Sequence, residues 1–160
     1  MPRVDIEKIW RTVVFFYPIY DKYGGNSTQI LLEDGGKLTD RRKTKTLLAA
    51  FARLFAVDLP VLRKKYGELL GRRNFVPLPL HLDFVLVPVR VRRAMSKDQG
   101  ATGYLVLDKI LHYDASPGDG FLCRVAFEGG GELDCLEREG TIRKKVLEGR
   151  AVREEHLFFH

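Results

Sequence analysis

Cysteine is scarce in this chain of 160 residues, which holds only Cys123 and Cys135. Two are too few for a disulfide framework, and their spacing fits no zinc signature. They flank Gly129-Gly130-Gly131, so a hairpin turning there sets them opposite each other on a sheet face, as small apolar residues. A redox switch is the alternative. The four histidines, His81, His112, His156 and His160, show no metal-ligand spacing. There is no P-loop and no Gly-x-Ser-x-Gly elbow, and Ser27, Ser96 and Ser116 stand in turn-like contexts. These absences leave catalysis with nothing to build on. The expectation is no enzyme, no cofactor, no metal and no small-molecule substrate. The longest apolar run, residues 13–19, is too short to cross a bilayer. Asp5, Glu7 and Lys8 interrupt any signal-peptide core. A cytoplasmic protein without a membrane partner is expected.

What the chain does have is sorted charge. Residues 41–97 hold 14 Lys/Arg against 3 Asp/Glu, and the remainder holds 13 against 18. The middle third is strongly basic while the rest is mildly acidic. A local block of this kind is the electrostatic footprint of a phosphate-binding face.

Periodicity outlines an α+β fold: antiparallel β-strands with a central helix pair and a C-terminal helix. The length suits one domain spanning residues 1–160. Residues 12–20 and 28–33 read as strands around the Asp34-Gly35-Gly36 turn, with Pro18 at a strand end or an edge. Thr39 or Asp40 caps a helix over residues 41–56, striped by Leu47, Leu48, Phe51, Leu54 and Phe55. Asp58 caps a second helix that turns Leu59, Leu62, Tyr66 and Leu69 inward and stops at Gly71. Residues 75–82 form an extended connection. A strand follows over residues 84–93, where Pro88 argues for an edge position, and then a polar loop to residue 102. Residues 104–113, 121–128 and 132–136 read as further strands. A closing helix over 141–155 places Ile142, Val146 and Leu147 inward, with Arg143, Lys144 and Lys145 outward.

The central helix pair has the spacing of a helix-turn-helix: Ala52, then Ala56-Val57, Asp58 and Leu62. Its second helix could enter the major groove with Arg63, Lys64 and Lys65 near phosphates or base edges. Lys65, however, stands where an apolar residue is usual. The broader reading is a basic nucleic-acid-binding surface of Arg63, Lys64, Lys65, Arg72, Arg73, Arg90, Arg92, Arg93 and Lys97. Arg63 to Lys65, Arg72 and Arg73 are the expected phosphate contacts. Arg90, Arg92 and Arg93 are the expected groove-inserting residues.

The order of several short motifs resembles the ComK family of competence transcription factors. They are Phe55-Ala56, Leu62-Arg63-Lys64-Lys65, Leu69-Leu70-Gly71, Val76-Pro77-Leu78, Phe84-Val85-Leu86-Val87-Pro88, Gly103-Tyr104-Leu105, Asp108-Lys109-Ile110 and Phe127-Glu128-Gly129-Gly130, followed by Ile142 and Arg150. The chain departs from the pattern before Tyr104, at Val89-Arg90 and between Phe55 and Arg63. The resemblance implies a transcriptional activator of competence that binds A/T-rich promoter boxes as cooperating protomers, so a homo-oligomer on double-stranded DNA. It also implies reading from the minor groove, whose A/T-rich form attracts Arg. The choice of groove stays open between this and the helix-turn-helix.

The sequence is therefore read as a DNA-binding transcriptional regulator using residues 63–97. A protein-interaction adaptor, or an RNA-binding protein using the same basic face, is the alternative. Aromatics interleaved with cations would favour RNA, and Phe15, Phe16 and Tyr17 lie apart from the basic block.

Overall fold

In the computed structural model, which describes residues 3–20, 25–92 and 101–159, two runs of β-branched and aromatic residues form the middle of the fold. They are β1 (Val13–Tyr20) and β5 (Phe84–Arg90). Both belong to a six-stranded antiparallel sheet with β2 (Asn26–Leu32), β3 (Lys37–Asp40), β4 (Leu78–His81) and β6 (Thr102–Val106), ordered β3-β2-β1-β6-β5-β4. In β5 every residue from Phe84 to Val89 is buried, because both faces of this sheet are covered. The short α1 (Ile6–Ile9), with α2 (Thr44–Leu54) and α3 (Leu59–Leu70), covers one face, packing on Phe16, Ile30, Phe84, Leu86 and Val106. A three-stranded sheet covers the other, made of β7 (Ile110–Ala115), β8 (Cys123–Phe127) and β9 (Glu132–Cys135). The closing helix α4 (Glu139–Phe159) starts in that second core through Ile142 and Val146 and reaches the first core at Val152. The α+β class and the antiparallel pairing expected from the sequence are both present.

The prolines explain the outline of the sheet. Pro18 was expected at a strand end or an edge, yet β1 lies centrally. It still pairs with Thr28 on β2, but the ladder from β1 to β6 ends at Phe16 and Tyr104. Pro88 was likewise expected on an edge. It faces Tyr104 on β6, while the ladder from β4 ends at Leu78 and Leu86. Thus β5 is an inner strand up to Leu86 and an edge strand beyond it. A residue without an N–H can sit in a sheet where no neighbour needs that donor.

Several boundaries differ from the sequence reading. Asp40 does not cap a helix. It ends β3 with a fully buried side chain that accepts from the Val4 N–H at 2.9 Å, the Arg42 N–H at 2.8 Å and the Arg42 guanidinium at 2.7 Å. The one strand expected over 104–113 is two strands in different sheets. They part at a 3₁₀ turn, Leu107–Lys109, where exposed Asp108 pairs with Arg153 of α4. Leu69 and Leu147, expected inward, are exposed, and Lys145, expected outward, is buried. The polar loop expected before residue 102 lies mostly outside the described residues.

The triple glycine does more than turn a hairpin. A Cβ on Gly129 would stand 1.7 Å from the Glu33 carbonyl oxygen, so this backbone docks the small sheet against the turn after β2. Cys123 and Cys135 face each other across β8 and β9, as expected. Both are fully buried and reduced. Burial pushes the Cys123 thiol up to about 12 and the Cys135 thiol upward too, which suppresses the reactive thiolate.

Burial alone would raise the Asp40 carboxyl. Hydrogen bonds from Arg42 and Val4, with the Arg42 charge, outweigh it and hold the carboxyl below the ordinary 3.8. A depressed folded value means that this group stabilises the fold above 3.8 and that the contribution fades as pH falls through the folded value. Asp40→Ala is expected to lose about 3 kcal/mol at pH 7, because Arg42 is left without its partner. The deficit should shrink in urea titrations repeated below pH 3.8. An equal deficit at both pH values would contradict the pairing.

Candidate nucleic-acid interface

The helix pair is built as its capping residues dictate. Asp58 accepts from the Val61 N–H at 3.2 Å, and Gly71 ends α3 in the left-handed region with φ 71°. The turn between the helices places Ala56 at φ 56°. Only Leu62, Tyr66 and Gly67 of α3 are buried, so the helix forms an outer layer with most of its surface in solvent. Successive residues rotate by about 100°, so Arg63, Lys64 and Lys65 cannot share one face. Arg63 leans toward the sheet and reaches the Tyr104 hydroxyl. Lys64 projects outward into solvent. Lys65 lies along the helix with its ammonium 5.3 Å from the Tyr66 ring centre.

The segment after α3 is held in an uncommon conformation. Phe75 takes φ 56°, unusual for a bulky residue and costing on the order of 1–3 kcal/mol. Arg72 secures it by donating to the carbonyls of Asn74 at 3.1 Å and Phe75 at 2.8 Å, while also pairing with Glu148 of α4. The missing side chain of Gly67 matters here too. A Cβ would stand 2.6 Å from the Arg72 carbonyl oxygen, so only glycine lets this segment fold back on α3. Arg72 is therefore an internal fastener, although the sequence reading made it a phosphate contact.

Beyond Leu86, the free edge of β5 is occupied from α4. Lys145 donates to the Pro88 carbonyl at 3.0 Å and to Glu137 at 2.6 Å, and its ammonium lies 4.3 Å from the Phe75 ring centre. Burial lowers the Lys145 ammonium from its ordinary value, and the Glu137 carboxylate opposes that shift. Glu137 also accepts from the Arg90 N–H at 3.0 Å. The Arg90 guanidinium lies 5.8 Å from the same Phe75 ring centre.

These parts enclose a slot of about 300 Å³ between α3 and the ends of β5 and β6. Arg63, Arg73, Asn74, Phe75, Pro88 and Tyr104 form most of its lining. Burial raises the Tyr104 hydroxyl, with the Arg63 charge pulling the other way. Arg63 and Arg73 also border a shallower groove along α3 with Lys64 and Glu68. Among the described residues, the side chains of Arg63, Lys64, Arg73 and Arg90 are exposed and make no ion pair. In contrast, Arg42, Arg72, Lys109, Arg124, Lys145 and Arg153 are each paired with a carboxylate.

Arg92 belongs to the same sheet end but reaches toward β1 and β2. It is half-buried, donates to Asn26 at 3.1 Å and lies 5.1 Å from the Tyr20 ring centre. Arg93 and Lys97 lie outside the described residues. The structure thus gathers Arg63, Lys64 and Arg73, with Arg90 beside Phe75; Arg72 lines the same groove but is locked to Glu148, and Lys65 lies against Tyr66. It adds Phe75 and Tyr104, which the basic-block reading passed over. Their signal in the sequence is slight: one aromatic directly after Arg-Arg-Asn and one in a strand opposite Pro88. A second cavity, of about 310 Å³, lies between Tyr17, Gln29 and the triple glycine. Its charged lining is one Lys37 and one Glu132, so it lacks cationic character.

The division between fastener and exposed cation is measurable. Arg72→Ala should cost about 2 kcal/mol in urea unfolding, because the Glu148 carboxylate loses its partner within the fold. Lys64→Ala and Arg73→Ala should each stay within about 0.5 kcal/mol of the parent. A destabilised Arg73→Ala protein would mean that Arg73 is structural as well.

Compared with known proteins, the chain matches no family model, no curated protein and no solved structure.

Proposed function

We propose that this protein is a DNA-binding transcriptional regulator, an activator of the ComK type acting on A/T-rich promoter boxes. Its contact face is the outer side of α3, the segment 72–75 and the exposed end of β5 at Arg90. The observation that carries this reading is a cluster of exposed cations without ion pairs, Arg63, Lys64 and Arg73, lining one slot and groove, with Arg90 beside Phe75. Cations left unneutralised by the fold keep their full attraction for phosphate, and displacing counterions from DNA makes that attraction steep in salt. The outward position of α3 is compatible with a groove-entering helix, as the capped helix pair suggests.

A second reading, RNA binding, is favoured by one feature. Phe75 and Tyr104 bring aromatic rings into the basic slot, and exposed bases stack on such rings.

Fluorescence anisotropy with A/T-rich duplex, G/C-rich duplex and single-stranded RNA, at two salt concentrations, separates these readings. The A/T-rich duplex should bind tightest, with an affinity falling by a log–log slope of about −3 to −4 for four phosphate contacts. The double variant Lys64→Ala/Arg73→Ala should lose about two from that slope. Tightest binding to RNA would support the second reading. Absence of binding to all three at low salt would overturn both.

A further inference from the structure

Neutralising phosphates requires exposed cations, but it does not require a slot. The one between α3 and the sheet has a cationic rim of Arg63 and Arg73 and flat walls from Phe75, Pro88 and Tyr104. Asn74 and Thr102 supply an amide and a hydroxyl at its border. At about 300 Å³ it is at the small end of ligand pockets, far too small for a duplex. Its chemistry is that of a single nucleotide. Arg binds phosphate and also stacks on planar rings, an aromatic or proline face accepts a base, and an amide can pair with a base edge.

A second observation points the same way. Phe75 is kept at φ 56° by Arg72, which is anchored to Glu148, and its ring is flanked by Lys145 and Arg90. Two buried or half-buried ion pairs, Arg72 with Glu148 and Lys145 with Glu137, thus fix one aromatic ring at the slot. Uncommon backbone conformations held by surrounding structure cluster at ligand sites, where they fix a group before the ligand arrives.

We propose that the slot receives one unstacked nucleotide, its phosphate on Arg63 and Arg73 and its base against Phe75 and Tyr104. This inference rests on the nucleic-acid reading above and names the part of the nucleic acid that enters the protein. The nucleotide belongs to a strand whose neighbouring phosphates lie along α3, or it is a free nucleoside monophosphate. The phosphate-plus-base chemistry is the same.

The test uses the full chain and three labelled duplexes of one sequence: fully paired, with a single bulged adenosine, and with an abasic bulge. Adenosine monophosphate serves as competitor. The base-bearing bulge should bind about tenfold tighter than the abasic bulge, the worth of one stacked base. Phe75→Leu should erase most of that difference between the two bulges. Should this variant not fold, the comparison of the two bulges on the parent protein decides alone. Displacement of the bulged duplex by adenosine monophosphate would support the slot and assign it to free nucleotides. Equal affinity for both bulges, without displacement by the competitor, would overturn the slot and leave phosphate binding by the face intact. Failure to bind any duplex at low salt would overturn both.

Discussion

The structure depends on where the hydrogen-bond ladders of the large sheet stop. Pro88 lies just past the last β4 partner of β5, and Pro18 just past the last β6 partner of β1. Neither residue can donate, so neither ladder needs to run on. The helices α2 and α3 cover the inner part of one sheet face and leave a slot beside Pro88, Thr102 and Tyr104. Of the two prolines, Pro88 lines the candidate site.

An open sheet end also leaves backbone groups to satisfy, and α4 does so with charge. Lys145 caps the Pro88 carbonyl, Glu137 takes the Arg90 N–H, and the two are paired to each other. Burying an ion pair contributes little net stability, but removing one member leaves the other charged and unmatched. That asymmetry fixes geometry more than it adds stability. Here it fixes the end of β5, the Phe75 ring and, through Arg72 and Glu148, the backbone of the segment after α3. The chain thus uses its cations in two ways: some are locked to carboxylates as fasteners, and others are held out in solvent.

Local chemistry made much of this legible. The Asp58 cap, the Leu47, Leu48 and Phe51 stripe, the Gly71 stop and the facing cysteines all follow from short-range rules, and each is found. Lys145 was misplaced because its charge argued for solvent. Helical spacing put it with Ile142 and Gly149 on the buried stripe, and Glu137 made burial tolerable. Leu147 is exposed for the converse reason, because it stands off the stripe of Ile142, Val146 and Gly149, whereas Leu69 keeps the spacing of Leu62 and Tyr66 but lies exposed in the last turn of α3. Asp40 shows a third limit. As a cap it needed only its neighbours, whereas its bonds come from Arg42, two residues on, and from Val4, 36 residues away. The same limit hid the site. The basic block was visible as a run of letters, but the sorting of Arg72 from Arg73 depends on Glu148, and the aromatics of the slot come from separate segments.

The most direct test of the central claim is a map of backbone amide shifts by NMR as a short A/T-rich duplex is added to the protein. The largest changes should fall in residues 61–75, 88–92 and 102–104, with the small sheet of β7, β8 and β9 left near its free-state positions. Changes centred on that small sheet, or on the cavity beside the triple glycine, would contradict the claim and place the binding face on the opposite side of the molecule.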